Sequence, residues 1–106
     1  MVKFKFNKNS DQLFCAILSL GSIKEAEKFF RDLCTAEEIT ALVERWQIVI
    51  LLNQGLSYRK VAEMVGSSTT TVGRVATWLN DGEGGYKLAL DKLAAHHNSS
   101  EVSGKS

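Results

Sequence analysis

The chain of 106 residues contains no proline, so no helix need be broken by a ring that lacks an N–H and clashes with the preceding turn. Cysteine is nearly as scarce. Cys15 and Cys34 lack CxxC spacing and sit within apolar helical patterns. They read as small buried hydrophobes, not as a redox pair or a disulfide. No apolar run approaches the roughly 20 residues of a membrane helix, so no membrane partner is expected. Lys3, Lys5 and Lys8 are not followed by an apolar core with a small-residue cleavage site, and the expected location is cytoplasmic. An excess of charge is missing as well: 13 Lys and Arg stand against 12 Asp and Glu, a net charge of +1. There is no GxSxG, phosphate loop or HExxH motif, and the acids read as helix caps and solvated faces. No catalytic residue is assigned and no enzyme is expected. His96 and His97 are adjacent, so they point apart on a helix, and no third ligand lies near them. No metal site is expected.

What is present is a hydrophobic fraction of 44%, enough for one domain with a modest core. Period-two alternation is nearly absent, while 3.6-residue periodicity recurs, which predicts an all-α fold. Residues 1–9 form an arm in which Val2, Phe4 and Phe6 alternate with polar residues. It either packs its aromatics on the body or a partner, or frays. Asn9 or Ser10 caps a first helix to about Leu20. Its apolar residues Leu13, Phe14, Ile17, Leu18 and Leu20 are too many for one side to bury, a first sign of a subunit interface. Ser22 and Glu25 have capping-box spacing for a second helix to about Leu33, with Ile23, Ala26, Phe29, Phe30 and Leu33 inward. Thr35 and Glu38 repeat that spacing before a long helix from Ala36 to about Asn53. The glycine-rich turn Asn80–Gly85 precedes a last helix to about His96. A polar tail over residues 98–106 is expected to be disordered.

Between these elements lies Tyr58–Val75. Val61, Ala62 and Val65 share one helical face, and Gly66 follows where a left-handed residue would end the helix. Ser67 or Ser68 caps a second helix whose apolar positions Val72 and Val75 are three apart. This is helix-turn-helix spacing over 58–79, although a plain αα-hairpin can share it. Arg59, Lys60 and Arg74 stand here against Glu63 alone, and the first ten residues carry lysines without acids. Such a distribution fits either a local phosphate-binding surface or an ordinary mixed-charge exterior.

Several runs together resemble the Trp repressor superfamily, and within it the TrpR-like YerC/YecD proteins of Gram-positive bacteria. They are Leu33-Cys34-Thr35-Ala36-Glu37-Glu38, Val43 to Leu52 with Arg45 and Trp46, Gly55-Leu56-Ser57-Tyr58-Arg59, and the hairpin through Arg74. The resemblance implies six helices and an intertwined homodimer, with residues 10–97 as a DNA-binding and dimerisation domain. It implies a sequence-specific, DNA-binding transcriptional regulator, a repressor on a near-palindromic operator in double-stranded DNA. A dimeric helical protein-interaction module without specific DNA binding stands as the alternative. The family's DNA-contacting positions fall on Arg59, Thr69, Thr70, Thr71 and Gly73. With Lys60, Ser67 and Ser68 the first four make up the candidate DNA-binding set. Two arginines of the family's corepressor pocket align with Arg45 and Arg74. The position after the second arginine, a glycine in the tryptophan-binding repressor, is Val75 here, and one turn on stands Trp78. These two occupy the room an indole needs, so L-tryptophan is the disfavoured ligand for a candidate pocket of Arg45, Arg74, Val75 and Trp78.

Overall fold

Thr35 and Glu38 show how the sequence sets its helix boundaries. The Glu38 N–H donates to Thr35 Oγ1 at 3.1 Å, and the Thr35 N–H donates to Glu38 Oε1 at 2.8 Å. Two backbone donors that a helix start leaves unpaired are thereby satisfied reciprocally. The computed structural model describes residues 3–102. It holds six helices, with no strand among the described residues: α1 Lys8–Leu18, α2 Ile23–Leu33, α3 Ala36–Asn53, α4 Tyr58–Val65, α5 Thr69–Asp81 and α6 Gly85–Val102. The all-α reading therefore holds. No helix is long and apolar enough to cross a membrane.

Several boundaries differ from expectation. Asn7, not Asn9 or Ser10, caps α1. Its Oδ1 accepts from the Ser10 N–H at 3.0 Å while Ser10 Oγ accepts from the Asn7 N–H at 2.9 Å. Ser10 is thus the reciprocal partner of the cap. At α2, Ser22 Oγ accepts from the Glu25 N–H, and Glu25 Oε1 reaches the N–H of Gly21, one residue before the expected one. α5 continues past Leu79 to Asp81 and stops at Gly82, whose N–H donates to the Trp78 carbonyl at 2.9 Å. A Cβ at Gly82 would run into that same carbonyl oxygen. α6 runs through Val102, past the expected start of a polar tail at Asn98. No glycine or proline interrupts it before Gly104. Residues 103–106 of that tail lie outside the described residues, as do Met1 and Val2 of the arm.

The chain divides into two compact units, Met1–Thr40 and Ala41–Ser106. In the first, neither α1 nor α2 has a buried residue. Leu18 is 83% exposed and Ile23 80%, and Phe14 and Leu33 are open as well. Ile23 and Leu33 are therefore not inward within the chain. In the arm Phe4 meets Phe6 edge-on at 4.9 Å and the Phe6 ring lies 6.0 Å from that of Phe14, while Phe4 and Phe6 stay exposed. Cys15 is exposed and Cys34 half-buried, which corrects the expectation of two buried thiols.

The second unit holds the core: Ile48, Val49, Val61, Ala62, Val72, Val75 and Ala76, each buried. Trp46, Leu51, Leu52, Leu56, Val65, Leu79, Tyr86 and Leu90 pack around it. α3 ends in paired bonds from the Gly55 N–H to Leu52 O and from the Leu56 N–H to Leu51 O. This Schellman closure turns the chain toward α4.

Candidate nucleic-acid interface

The hairpin is built from its caps inward. Ser57 Oγ accepts from the Lys60 N–H at 3.1 Å and starts α4. Gly66 ends it at φ +80°, a left-handed conformation that costs an L-residue with a Cβ about 1–2 kcal/mol. The N–H groups of Gly66 and Ser67 both donate to the Ala62 carbonyl at 2.9 Å. Ser68 then caps α5: its Oγ accepts from the Thr71 N–H and donates to Thr71 Oγ1, both at 3.1 Å. Of the two serines considered, Ser68 is the cap and Ser67 belongs to the turn. Val61 and Val72 are fully buried between the helices, with small Ala62 beside them. Burying a valine stabilises by about 1.5–3 kcal/mol, so the wedge of valines holds α5 against α4.

This packing leaves one polar surface. Arg59, Lys60, Ser68, Thr69, Thr70 and Arg74 are exposed, and Ser67 and Thr71 half-buried. Thr69 and Thr70 occupy the first turn of α5. The backbone N–H groups there point out of the helix and carry the positive end of its dipole, which suits an anion. Arg59 forms no ion pair among the described residues. Lys60 Nζ lies 3.8 Å from Glu63 Oε1, a solvent-exposed pair worth at most about 1 kcal/mol, so the ammonium remains available. Ser68 and the Thr71 acceptor are committed to the cap, which leaves Arg59, Thr69 and Thr70 as the freest groups for reading bases. Gly73 lies on the same face, one turn beyond Thr69 and Thr70. A Cβ there would meet the ring of Tyr58 at 3.7 Å. Sequence reading missed Tyr58, because a contact between α4 and α5 leaves no periodic trace.

The residues aligned with a corepressor pocket do not converge on a described cleft. Val75 is 2% exposed and belongs to the core. Trp78, 38% exposed, lines a cleft of ≈ 540 Å³ with Asp81, Gly82, Glu83, Gly85 and Tyr86. A second cleft of ≈ 450 Å³ runs along Leu79, Asn80, Leu90 and Asp91. Neither Arg45 nor Arg74 lines either one. Among the described residues the ion pairs are Lys24–Glu27 and Lys60–Glu63, so neither arginine is paired with an acid there.

Comparison with known proteins gives this arrangement its family. The family model described as Trp repressor protein matches residues 8–94. The uncharacterised protein YerC of Bacillus subtilis (strain 168) is 43% identical over 86 residues, covering 81% of this chain and 83% of YerC. A TrpR-like protein from Eubacterium eligens ATCC 27750 superposes with a TM-score of 0.79 at 40% identity, over 83% of this chain and 91% of that one. A Staphylococcus aureus protein provisionally called a Trp repressor gives 0.79 at 37% identity, over 84% and 89%. With the six helices in place and the match spanning α1 to α6, the chain belongs to the Trp repressor protein family, on its TrpR-like YerC branch.

Proposed function

We propose that the protein is a homodimeric, sequence-specific DNA-binding transcriptional regulator, a cytoplasmic repressor acting on a near-palindromic operator. The observation that carries this reading is the valine-wedged hairpin. It presents an uncommitted Arg59 beside the open first turn of α5, in a chain of the Trp repressor family. In this reading α5 enters the major groove. Arg59 reaches a guanine edge or a phosphate, and the Thr69 and Thr70 methyls meet thymine. Lys60, Ser67 and Thr71 serve the backbone, and Ser68 holds the cap. Two copies set their α5 helices roughly 34 Å apart, one helical turn of DNA.

The dimer is supported by the first unit. Two helices without a buried residue, with Phe14, Leu18, Ile23 and Leu33 open to solvent, leave an apolar face that water disfavours. A second copy covers it. L-tryptophan stays the disfavoured effector in this reading, since Val75 belongs to the core and the bulky Trp78 stands one turn on.

Selection from a random duplex pool, followed by binding measurements on Arg59→Ala and Thr70→Ala, tests the proposal. A palindromic consensus should enrich. Arg59→Ala should weaken binding by about 1–3 kcal/mol and relax the preference at one base pair. If no sequence enriches while the dimer retains a protein partner, the interaction-module reading replaces this one.

A further inference from the structure

Gly73 offers no side chain on the face of α5 that carries Thr69 and Thr70, yet the space beside it is not empty. The Tyr58 ring occupies it, with Cε2 at 3.7 Å and Cδ2 at 4.0 Å from the place of a Gly73 Cβ. Those are ordinary van der Waals distances. The aromatic edge therefore lies on α5 where a longer side chain at residue 73 would otherwise project. Tyr58 is the first residue of α4, adjacent to Arg59. It is 47% exposed, so one edge of the ring is packed and the rest faces solvent. Its hydroxyl has no hydrogen-bond partner among the described residues.

We infer that Tyr58 is a further DNA-contacting residue, placed by its packing on Gly73, whose hydroxyl donates to a backbone phosphate oxygen. The inference rests on the DNA-binding reading above. A phosphate is the fitting acceptor because the first helix of a helix-turn-helix crosses the sugar–phosphate backbone while the second reads bases. Tyrosine hydroxyls are among the groups that make such contacts. The geometry also restricts residue 73. Anything much larger than alanine there would displace the ring, so the two positions act as a pair. A hydroxyl fixed by packing loses little side-chain entropy on binding, unlike the long stem of a lysine.

Tyr58→Phe is the informative substitution, since it keeps the ring on Gly73 and removes one donor. Binding should be measured on a duplex selected from a random pool and on a base-scrambled version of it, with Arg59→Ala in parallel. Tyr58→Phe should melt at the parent temperature and bind both duplexes about 10-fold more weakly, as loss of a hydrogen bond to a charged group predicts. Its salt slope should match the parent's, because a neutral hydroxyl displaces no counterion. Parent-like affinity for Tyr58→Phe, with Arg59→Ala weakened, would overturn the role of Tyr58 and leave the DNA surface standing. Parent-like affinity for both variants would overturn the assignment of the hairpin as the DNA-contacting surface. Weakening confined to the selected duplex would replace the phosphate with a base edge and overturn the inference as stated.

Discussion

Two alanine substitutions in the hairpin should change stability in opposite directions, and the structure supplies the reason for each sign. At Gly66 a Cβ has open space, with nothing within 4 Å, but the backbone stands at φ +80°. Alanine there costs about 1–2 kcal/mol of left-handed strain. The loss of unfolded-chain freedom returns about 0.4–1 kcal/mol of that. At Gly73 the backbone is helical and the nearest atom, in the Tyr58 ring, is 3.7 Å away. No atom has to move, and replacing a mid-helix glycine by alanine gains about 1 kcal/mol. For a domain of this size, 1 kcal/mol shifts the melting temperature by about 4–8 °C. Gly73→Ala should therefore melt about 4–8 °C higher and Gly66→Ala a few degrees lower. Both should be measured by circular dichroism at one fixed protein concentration, because association contributes to the midpoint. Shifts of the same sign would refute the separation of backbone strain from packing. A fall at Gly73→Ala would mean that the Tyr58 ring sits closer to α5 than described.

Val72→Ala removes a fully buried side chain from the wedge between α4 and α5. It should cost about 1.5–3 kcal/mol, read as a lower urea midpoint at an unchanged m-value. L-tryptophan at millimolar concentration should leave the melting temperature unmoved, since a ligand that binds only the native state must raise it. A clear rise would sink the assignment of Val75 and Trp78 as residues that exclude an indole.

How much of this was legible in advance depended on how local the cause was. The Thr35–Glu38 box and the Ser57 and Gly66 boundaries were readable, because each rests on a few neighbouring residues. The start of α1 was not, since Asn7, Asn9 and Ser10 all offer cap chemistry and only the bond pattern selects Asn7. Which face of α3 is buried, that of Ile48 and Val49, was not legible for a different reason. The second half of α3, Trp46 to Leu52, is apolar nearly all round, so periodicity cannot say which face is buried. The contact of Tyr58 with Gly73 depends on how two helices cross, and no spacing along the chain encodes that. The excess of apolar residues in α1 was visible, but the similar exposure of Ile23 and Leu33 on α2 was not. Ser22, Glu25 and the α2 periodicity look the same whether the inward face meets its own chain or another.

The near-neutral charge sets a limit on how this surface can hold DNA. Tyr58–Val75 carries Arg59, Lys60 and Arg74 against Glu63, so a dimer offers six basic side chains from its two hairpins. Each phosphate neutralised contributes about −0.9 to the slope of log K against log salt. Six such contacts give a slope no steeper than about −5. Lys3, Lys5 and Lys8 add three cations per copy without an acid beside them. If the arms also reach phosphates, the limit moves to roughly −11. A slope steeper than about −5 that falls back when all three lysines become glutamine would therefore place the arms on the duplex. A slope no steeper than about −5 that ignores those lysines would confine the contacts to the hairpin. In that case affinity must come largely from uncharged donors, the backbone N–H groups at the starts of α4 and α5 and the hydroxyls beside them. Those groups are directional and gain nothing from a wrong register. On the proposed DNA-binding reading, a chain with a net charge of +1 should bind non-specific DNA weakly and depend on fit for its affinity.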